Sequence, residues 1–334
     1  MSLGLIIEKL LTEKSSKFDL NPKSKEILLG PLSCKLNIYF EGYIANLIIG
    51  AFIDNSQEEA EFSISVYMLD DFDLWKRDIE KSTPSVNLEA PLPYKVTSPF
   101  RIFVCESQSQ IYLFDTFNRQ GVILLRETSF LDTRSYVTPF RLMVSWILDS
   151  INGEVIHASA ISKNGRALVI SGEKGSGKST LALTWMIAGG EIISDDAVIL
   201  IDRRVYAMYA RAKIDIKNIY TQALIKYSFN LKDKLDAKNI FPLLSLGSRF
   251  VLSAEIERII VPKKSDVTML TDRQKVIGRE PFVQNSLREI FGGGEENITR
   301  LNQIVDLFDL AILETSPNVQ SSIDILFKEL SKYG

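Results

Sequence analysis

Apolar runs punctuated by short polar stretches make most of residues 1–130 read as strands. The segments "KLNIYFEGYIANLIIGAFI", "AEFSISVYMLD", "FRIFVCES", "QIYLFDTF" and "GVILLRET" are rich in β-branched and aromatic residues. Turn signals such as "FNRQG" and "SQSQ" separate them, which predicts strands. "IYLFDTFNRQGVILL" reads as a hairpin and "YIANLIIGAFI" (43–53) as a buried strand. "STPSVNLEAPLPYKVTSP" (82–99) carries four prolines and is expected to be a loop or an edge, while "GLIIEKLLTEK" reads as a short amphipathic helix.

The period changes at "TPFRLMVSWILDSING", where Leu142, Met143, Trp146 and Ile147 follow helical spacing between Pro139 and Gly153. "EVIHASAISKNGRALVISG" then predicts two strands about an Asn164-Gly165 turn. "STLALTWMIAGG" predicts a helix closing at Gly189-Gly190, "EIIS" a strand, and "AVILIDRRVYAMY" a hairpin about Asp202-Arg203. Helices are expected near 281–291, 298–309 and 318–332, with "DLAILET" a late strand. The pattern divides the chain into a β-rich N-terminal domain (1–138), serving substrate recognition or assembly, and an α/β domain (139–334).

Composition narrows the class without naming a chemistry. The 334 residues are 46% hydrophobic and 24% charged, which suits a chain with a large core. A net charge of −3 argues against a nucleic-acid partner. The two cysteines, Cys34 and Cys105, have no metal-type spacing and read as reduced packing thiols. "MSLGLIIEKLL" has no basic residue before its apolar run, and 43–53 is about half the length that spans a bilayer. A cytoplasmic protein with no membrane partner is therefore expected, and association with further copies of the chain stays open.

The chemistry is concentrated in "VISGEKGSGKSTLALTWMIAGGEIISDDAVIL" (169–200). Gly172, Glu173, Lys174, Gly175, Ser176, Gly177, Lys178 and Ser179 fit the G-x-x-x-x-G-K-[ST] loop, and Thr180 follows. Glycines let successive backbone N–H groups face one concavity, and the helix beginning at the lysine adds its positive end. Lys178 is placed to reach β- and γ-phosphates and Ser179 to ligate Mg²⁺. A strand-like "RALVIS" before the loop and a helical pattern after it supply the required context, against the rival reading of a structural glycine turn. Asp195 and Asp196 follow Lys178 by only seventeen and eighteen residues. If "EIIS" runs parallel and next to the loop strand, both carboxylates reach the phosphate end. One would bind metal while the other takes a proton from an attacking hydroxyl; the plainer alternative has one aspartate capping a turn. Neither the transporter signature "LSGGQ" nor the GTPase motif "NKxD" occurs.

"GEKGSGKS…ISDD", with His157 twenty-one residues before Lys178 and "WILDSINGEVIHASAI" leading in, resembles the catalytic domain of HPr kinase/phosphorylase and its relatives. The resemblance runs from about Val144 to Leu200. It implies an α/β fold with a P-loop core shared with PEP carboxykinases, using ATP and Mg²⁺. It further implies His157 beside the transferred phosphate, Lys178 as the loop lysine, Asp195 as catalytic acid/base, and Ser179 and Asp196 at the metal. The chain departs from that family in carrying Thr180 where glutamate is usual, and it lacks the later glycine- and isoleucine-rich signature. The resemblance therefore implies an ATP-dependent kinase whose acceptor is a hydroxyl, serine-like, on a protein, peptide or small molecule, rather than HPr itself. The alternative is a non-catalytic ATP-binding regulatory module that controls partner binding, and GTP stays open because the loop reads phosphates and not the base. Downstream, Arg211 or Lys213 could steady an anionic group, against a solvated strand face as the plainer reading. "KDKLDAK" reads as a solvated helix face and "FGGGEEN" as an ordinary connection or a lid.

Overall fold

The computed structural model describes residues 22–55, 59–82, 95–97, 100–105, 109–126, 136–229, 238–272 and 295–333. The expected helices at 4–14 and 281–291 lie outside the described residues, as do 83–94 and 98–99 of the proline-rich stretch, all of "KDKLDAK" but Lys238, and most of "FGGGEEN". The chain is a mixed α/β protein with several sheets. It forms two compact units, Met1–Leu131 with Leu142–Ile147, and Asp132–Arg141 with Leu148–Gly334.

The first unit contains β1 (Lys23–Leu29), β2 (Leu32–Ile38), α1 (Tyr43–Ile49), β3 (Ile53–Asp54), β4 (Phe62–Met68), α2 (Phe72–Ser82), β5 (Lys95–Thr97), β6 (Phe100–Cys105), β7 (Gln110–Asp115) and β8 (Gln120–Leu125). Its eight strands are ordered β3-β1-β2-β4-β8-β7-β6-β5. The central β2–β4 and β4–β8 pairs are parallel and the others antiparallel. The expected β7–β8 hairpin forms, with Asp115 paired to Gln120.

Every residue of β7 is buried because the sheet is covered on both faces. Phe72, Trp75 and Ile79 of α2, at helical spacing, pack with Ile111, Leu113, Val122 and Leu124. On the alternate positions, Trp146 stands edge-on to Tyr112 and stacks near Phe114. Those contacts come from α3 (Arg141–Leu148), whose residues 142–147 belong to this unit.

One expectation fails here. Residues 43–49 are helix, not a buried strand. Gly42, at φ 96, and Gly50 bracket seven residues in which Ala45, Leu47 and Ile48 face inward. Asn46 between them is exposed and accepts from Lys23 Nζ at 3.1 Å. A polar residue inside an apolar run can reach water from one side of a helix, whereas a strand covered on both faces would bury it.

The second unit contains β9 (Glu154–Ile156), β10 (Ala158–Lys163), β11 (Arg166–Ser171), α4 (Lys178–Ile187), β12 (Glu191–Ser194), β13 (Val198–Ile201), β14 (Arg204–Ala207) and β15 (Arg211–Asp215). The short α5 (Gln222–Ile225), β16 (Lys238–Pro242), β17 (Ser253–Lys264), β18 (Met269–Asp272), α6 (Glu295–Leu307), β19 (Asp309–Thr315) and α7 (Val319–Leu330) follow. The main sheet runs β12-β10-β11-β17-β14-β13-β9, and β19 joins β17. The twelve-residue β17 is its spine, with β11 parallel along one edge. Its other edge takes antiparallel β14 first and parallel β19 beyond it. Both expected tight turns form: Asn164 and Gly165 take φ 53 and 78, and Asp202 takes φ 50 between paired Ile201 and Arg204.

Helix α4 is anchored by Trp185, which is fully buried, stacks on Phe327 of α7 at 3.9 Å and donates from Nε1 to Glu191 O at 2.9 Å. A Cβ at Gly190 would lie 2.1 Å from that Nε1. Gly190→Ala therefore cannot be absorbed without moving the indole. The expected outcome is a loss of about 1–3 kcal/mol, read as a lower urea midpoint at unchanged slope, together with altered tryptophan fluorescence.

Candidate functional site

The hairpin β10–β11 builds the working edge of the second unit. Ala158 pairs with Ser171, so His157, one residue before β10, and Gly172, one residue after β11, leave the sheet side by side. Across β10, Ala160 pairs with Ser194, which brings Asp195 to the same edge. β12 runs parallel to β11, as expected, but is not its neighbour, because β10 lies between them. The reason is local: the two-residue turn seats β10 against β11, so β12, returning after α4, finds the outer edge of β10 free. Two strand spacings separate the loop from the doublet, about 10 Å, a gap that a lysine and an aspartate side chain can close around one extended anion.

The glycine loop runs from Gly172 to Gly177. Gly175 (φ 82) and Gly177 (φ 101) hold left-handed conformations that a side chain would strain. Gly177 caps α4 with no side-chain bond to the first turn, so the helix presents its opening N–H groups to the loop. Lys178 is 7% exposed and turns back into the loop, donating from Nζ to the carbonyls of Gly172 at 2.6 Å and Glu173 at 3.1 Å. Glu173 and Lys174 are exposed, whereas Ser176 and Ser179 are half-buried. The Ser176 Oγ is buried without a hydrogen-bond partner. Thr180 Oγ1 accepts from Asn218 Nδ2 at 2.8 Å. Beside the loop lies a cavity of about 450 Å³, reaching from Gly175–Gly177 to Tyr220, Lys264 and the start of α7.

The two aspartates point to different partners. Asp195 is fully buried; its Oδ1 accepts from Ser159 Oγ at 2.8 Å and its Oδ2 faces the Lys213 N–H at 3.4 Å. Asp196 takes φ 75, which breaks strand geometry and turns its side chain away from that of its neighbour. Its Oδ2 is held by Lys213 Nζ at 2.7 Å and by Arg141 Nη2, while His157 Nδ1 stands 3.7 Å from Oδ1 and 2.8 Å from its main-chain oxygen. Burial by itself would push this carboxyl up. The charges of Lys213 and Arg141, followed by His157, outweigh it and hold Asp196 well below the usual carboxylate range.

All the residues read from the sequence as chemical thus sit in one unit and at one sheet edge. Of the downstream cations, Lys213 joins Asp196, while Arg211 donates to Tyr136 O at 2.9 Å and lies over the Phe229 ring. Arg141 was not legible. It heads the helix at 141–148, fifty-five residues before its partner, and also donates to Thr138 Oγ1 at 2.8 Å.

No family model matches the chain, and no curated protein matches it. A solved structure of the Hpr(Ser) kinase/phosphatase from Coxiella burnetii aligns over 54% of this chain and 94% of that one, at 13% identity and TM-score 0.27. A TM-score that low carries no argument about activity. No helix among the described residues is long and apolar enough to cross a membrane.

The two cations at Asp196 are nearly buried, so removing its charge strands both. Asp196→Asn is expected to cost roughly 3–5 kcal/mol in denaturant melts. Adding Arg141→Met should recover part of that loss, because it takes away one of the two cations that Asp196 balances.

Proposed function

We propose that the second unit is an ATP- and Mg²⁺-dependent kinase that transfers the γ-phosphoryl group to a hydroxyl, serine-like, on a protein, peptide or small molecule. The observation that carries this reading is the register that brings His157, the glycine loop and the Asp195–Asp196 doublet out of three neighbouring strands at one sheet edge. The residues present suit a triphosphate. The loop offers glycine-freed backbone, an uncapped helix start, an unpartnered Ser176 hydroxyl and an ammonium that donates to loop carbonyls which phosphate oxygens can replace. Mg²⁺ would be held by Ser179 and by the Asp196 oxygen on the His157 side, since Lys213 and Arg141 share the other. Bound there, it would neutralise charge on the phosphates.

In this reading Lys178 leaves the loop carbonyls for the phosphates. Asp196 stays ionised and cannot serve as the base, because the cations around it hold it far below the useful range. Its work is to fix Lys213 and Arg141, which together carry charge toward the transferred group. Asp195 remains for the acceptor proton, and its bond to Ser159 Oγ orients the carboxylate. His157, held through Nδ1 at the Asp196 main-chain oxygen, contributes its other ring nitrogen to the same edge.

The full burial of Asp195 favours a second reading, an ATP-binding module that responds to nucleotide without transferring phosphate. Kinase action requires acceptor binding to open a path to that carboxylate. Asp195→Asn separates the two. With γ-labelled ATP and candidate hydroxyl acceptors, a kinase loses about 10²–10⁴-fold in transfer while ATP affinity holds. Lys178→Ala should abolish ATP binding in either case. If no acceptor becomes labelled, and Asp195→Asn leaves a nucleotide-dependent partner response intact, the module reading replaces the kinase.

A further inference from the structure

The cavity beside the glycine loop has features that the phosphate chemistry does not use. Its volume, about 450 Å³, lies within the range of small-molecule sites. Leu181, Val319 and the ring of Tyr220 give it apolar walls. Tyr220 is fastened at both ends, its N–H donating to Asn218 Oδ1 at 3.0 Å and its hydroxyl to Pro317 O. Asn218 also ties Thr180, so this wall is coupled to the loop. The first turn of α7 opens on the same space, with no side-chain bond from its cap Asn318. There Ser322, fully buried, presents an Oγ with no hydrogen-bond partner. With the unpartnered Ser176 Oγ across the cavity, this makes two buried hydroxyls left unmet, each costing about 1–3 kcal/mol.

Resting on the nucleotide reading above, we infer that this cavity takes the purine nucleoside of the bound triphosphate and reads its base permissively, accepting ATP and GTP alike. Adenine and guanine reverse donor and acceptor at the 6-position and at N1. Telling them apart requires groups of fixed polarity, such as an accepting carboxylate or a donating guanidinium. Among the described residues lining the cavity there is no carboxylate, carboxamide, imidazole or guanidinium. The fixed-polarity side chain present is Lys264, which is exposed.

Main-chain groups nearby are largely spent. Thr315 O accepts from Ser265 N at 3.0 Å, Ser316 N donates to Thr268 Oγ1 at 3.3 Å, and Pro317 O takes both Val319 N and the Tyr220 hydroxyl. The lining hydroxyls are engaged as well, Thr180 with Asn218, Thr315 with Lys263 O and Ser316 with Thr268, so few polar groups are left to read the base. Such a lining grips a purine without choosing between its two forms.

The test is calorimetric titration of the full chain with ATP, GTP and inorganic tripolyphosphate, each with Mg²⁺. Both nucleotides should bind within about fivefold of each other and at least about tenfold more tightly than tripolyphosphate. Val319→Trp, which fills the cavity, and Tyr220→Ala, which removes its wall, should each weaken ATP and GTP together by about tenfold or more and leave tripolyphosphate unchanged. A preference beyond about 100-fold for one base overturns the permissive reading. Nucleotides no tighter than tripolyphosphate, or insensitive to both variants, overturn the cavity assignment while the loop reading survives. Failure of all three ligands to bind overturns the nucleotide reading, and this inference with it.

Discussion

The arrangement of the second unit depends on one hairpin register. Six residue pairs, from Lys163–Arg166 at the turn to Ala158–Ser171 at the far end, lock β10 to β11. Because side chains alternate across a strand, a slip of one residue would send every side chain of β10 to the opposite face. Ser159 would lose Asp195, and the residue leaving the sheet beside Gly172 would no longer be His157. The Asn164-Gly165 turn prevents this: both residues adopt positive φ, which matches the twist of the strands it joins. A loop of two residues leaves no slack for an alternative pairing.

Built on that frame, the doublet divides its labour by backbone geometry. Two adjacent aspartates in a regular strand would face opposite sides of the sheet. Here β12 ends at Ser194, whose Oγ donates to Ala197 O at 2.6 Å, and the left-handed turn at Asp196 redirects the second carboxylate. One aspartate meets only neutral donors and the other meets cations. The two adjacent carboxylates therefore sit in different electrostatic surroundings.

Legibility followed the range of the interaction. The glycine loop, the hairpins at Asn164-Gly165 and Asp202-Arg203, the helix at 178–187 and the late strand at 309–315 are written in contiguous residues, and the sequence reading found them. Helix α1 was misread because six apolar residues around a single asparagine carry no clear period of their own; the flanking glycines and the solvent contact of Asn46 decided it. Helix α2 was not singled out, although Phe72, Trp75 and Ile79 spell its stripe, because it sits among strong strand signals. The insertion of β10 between loop and doublet was hidden because spacing along the chain measures residues and not strand order. Arg141 was invisible for the same reason. Nothing near it in sequence announces a carboxylate fifty-five residues away.

The burial of the site is what joins the proposed chemistry to the packing. Lys178, Asp195, Asp196 and Lys213 are each less than a tenth exposed, and each is satisfied within the protein. A triphosphate entering the loop offers Lys178 stronger partners than carbonyl oxygens and adds negative charge to an edge where Lys213 and Arg141 share one carboxylate oxygen. Both cations then have reason to turn partly toward the newcomer. Lys213 is the residue that couples the aspartates, since its ammonium binds Asp196 while its own N–H faces Asp195. A shift of that one residue toward phosphate would loosen the hold on both carboxylates at once. On the proposed reading the closed cluster is a resting arrangement, because the charge that fills the loop is also the charge that would draw Lys213 away from both carboxylates.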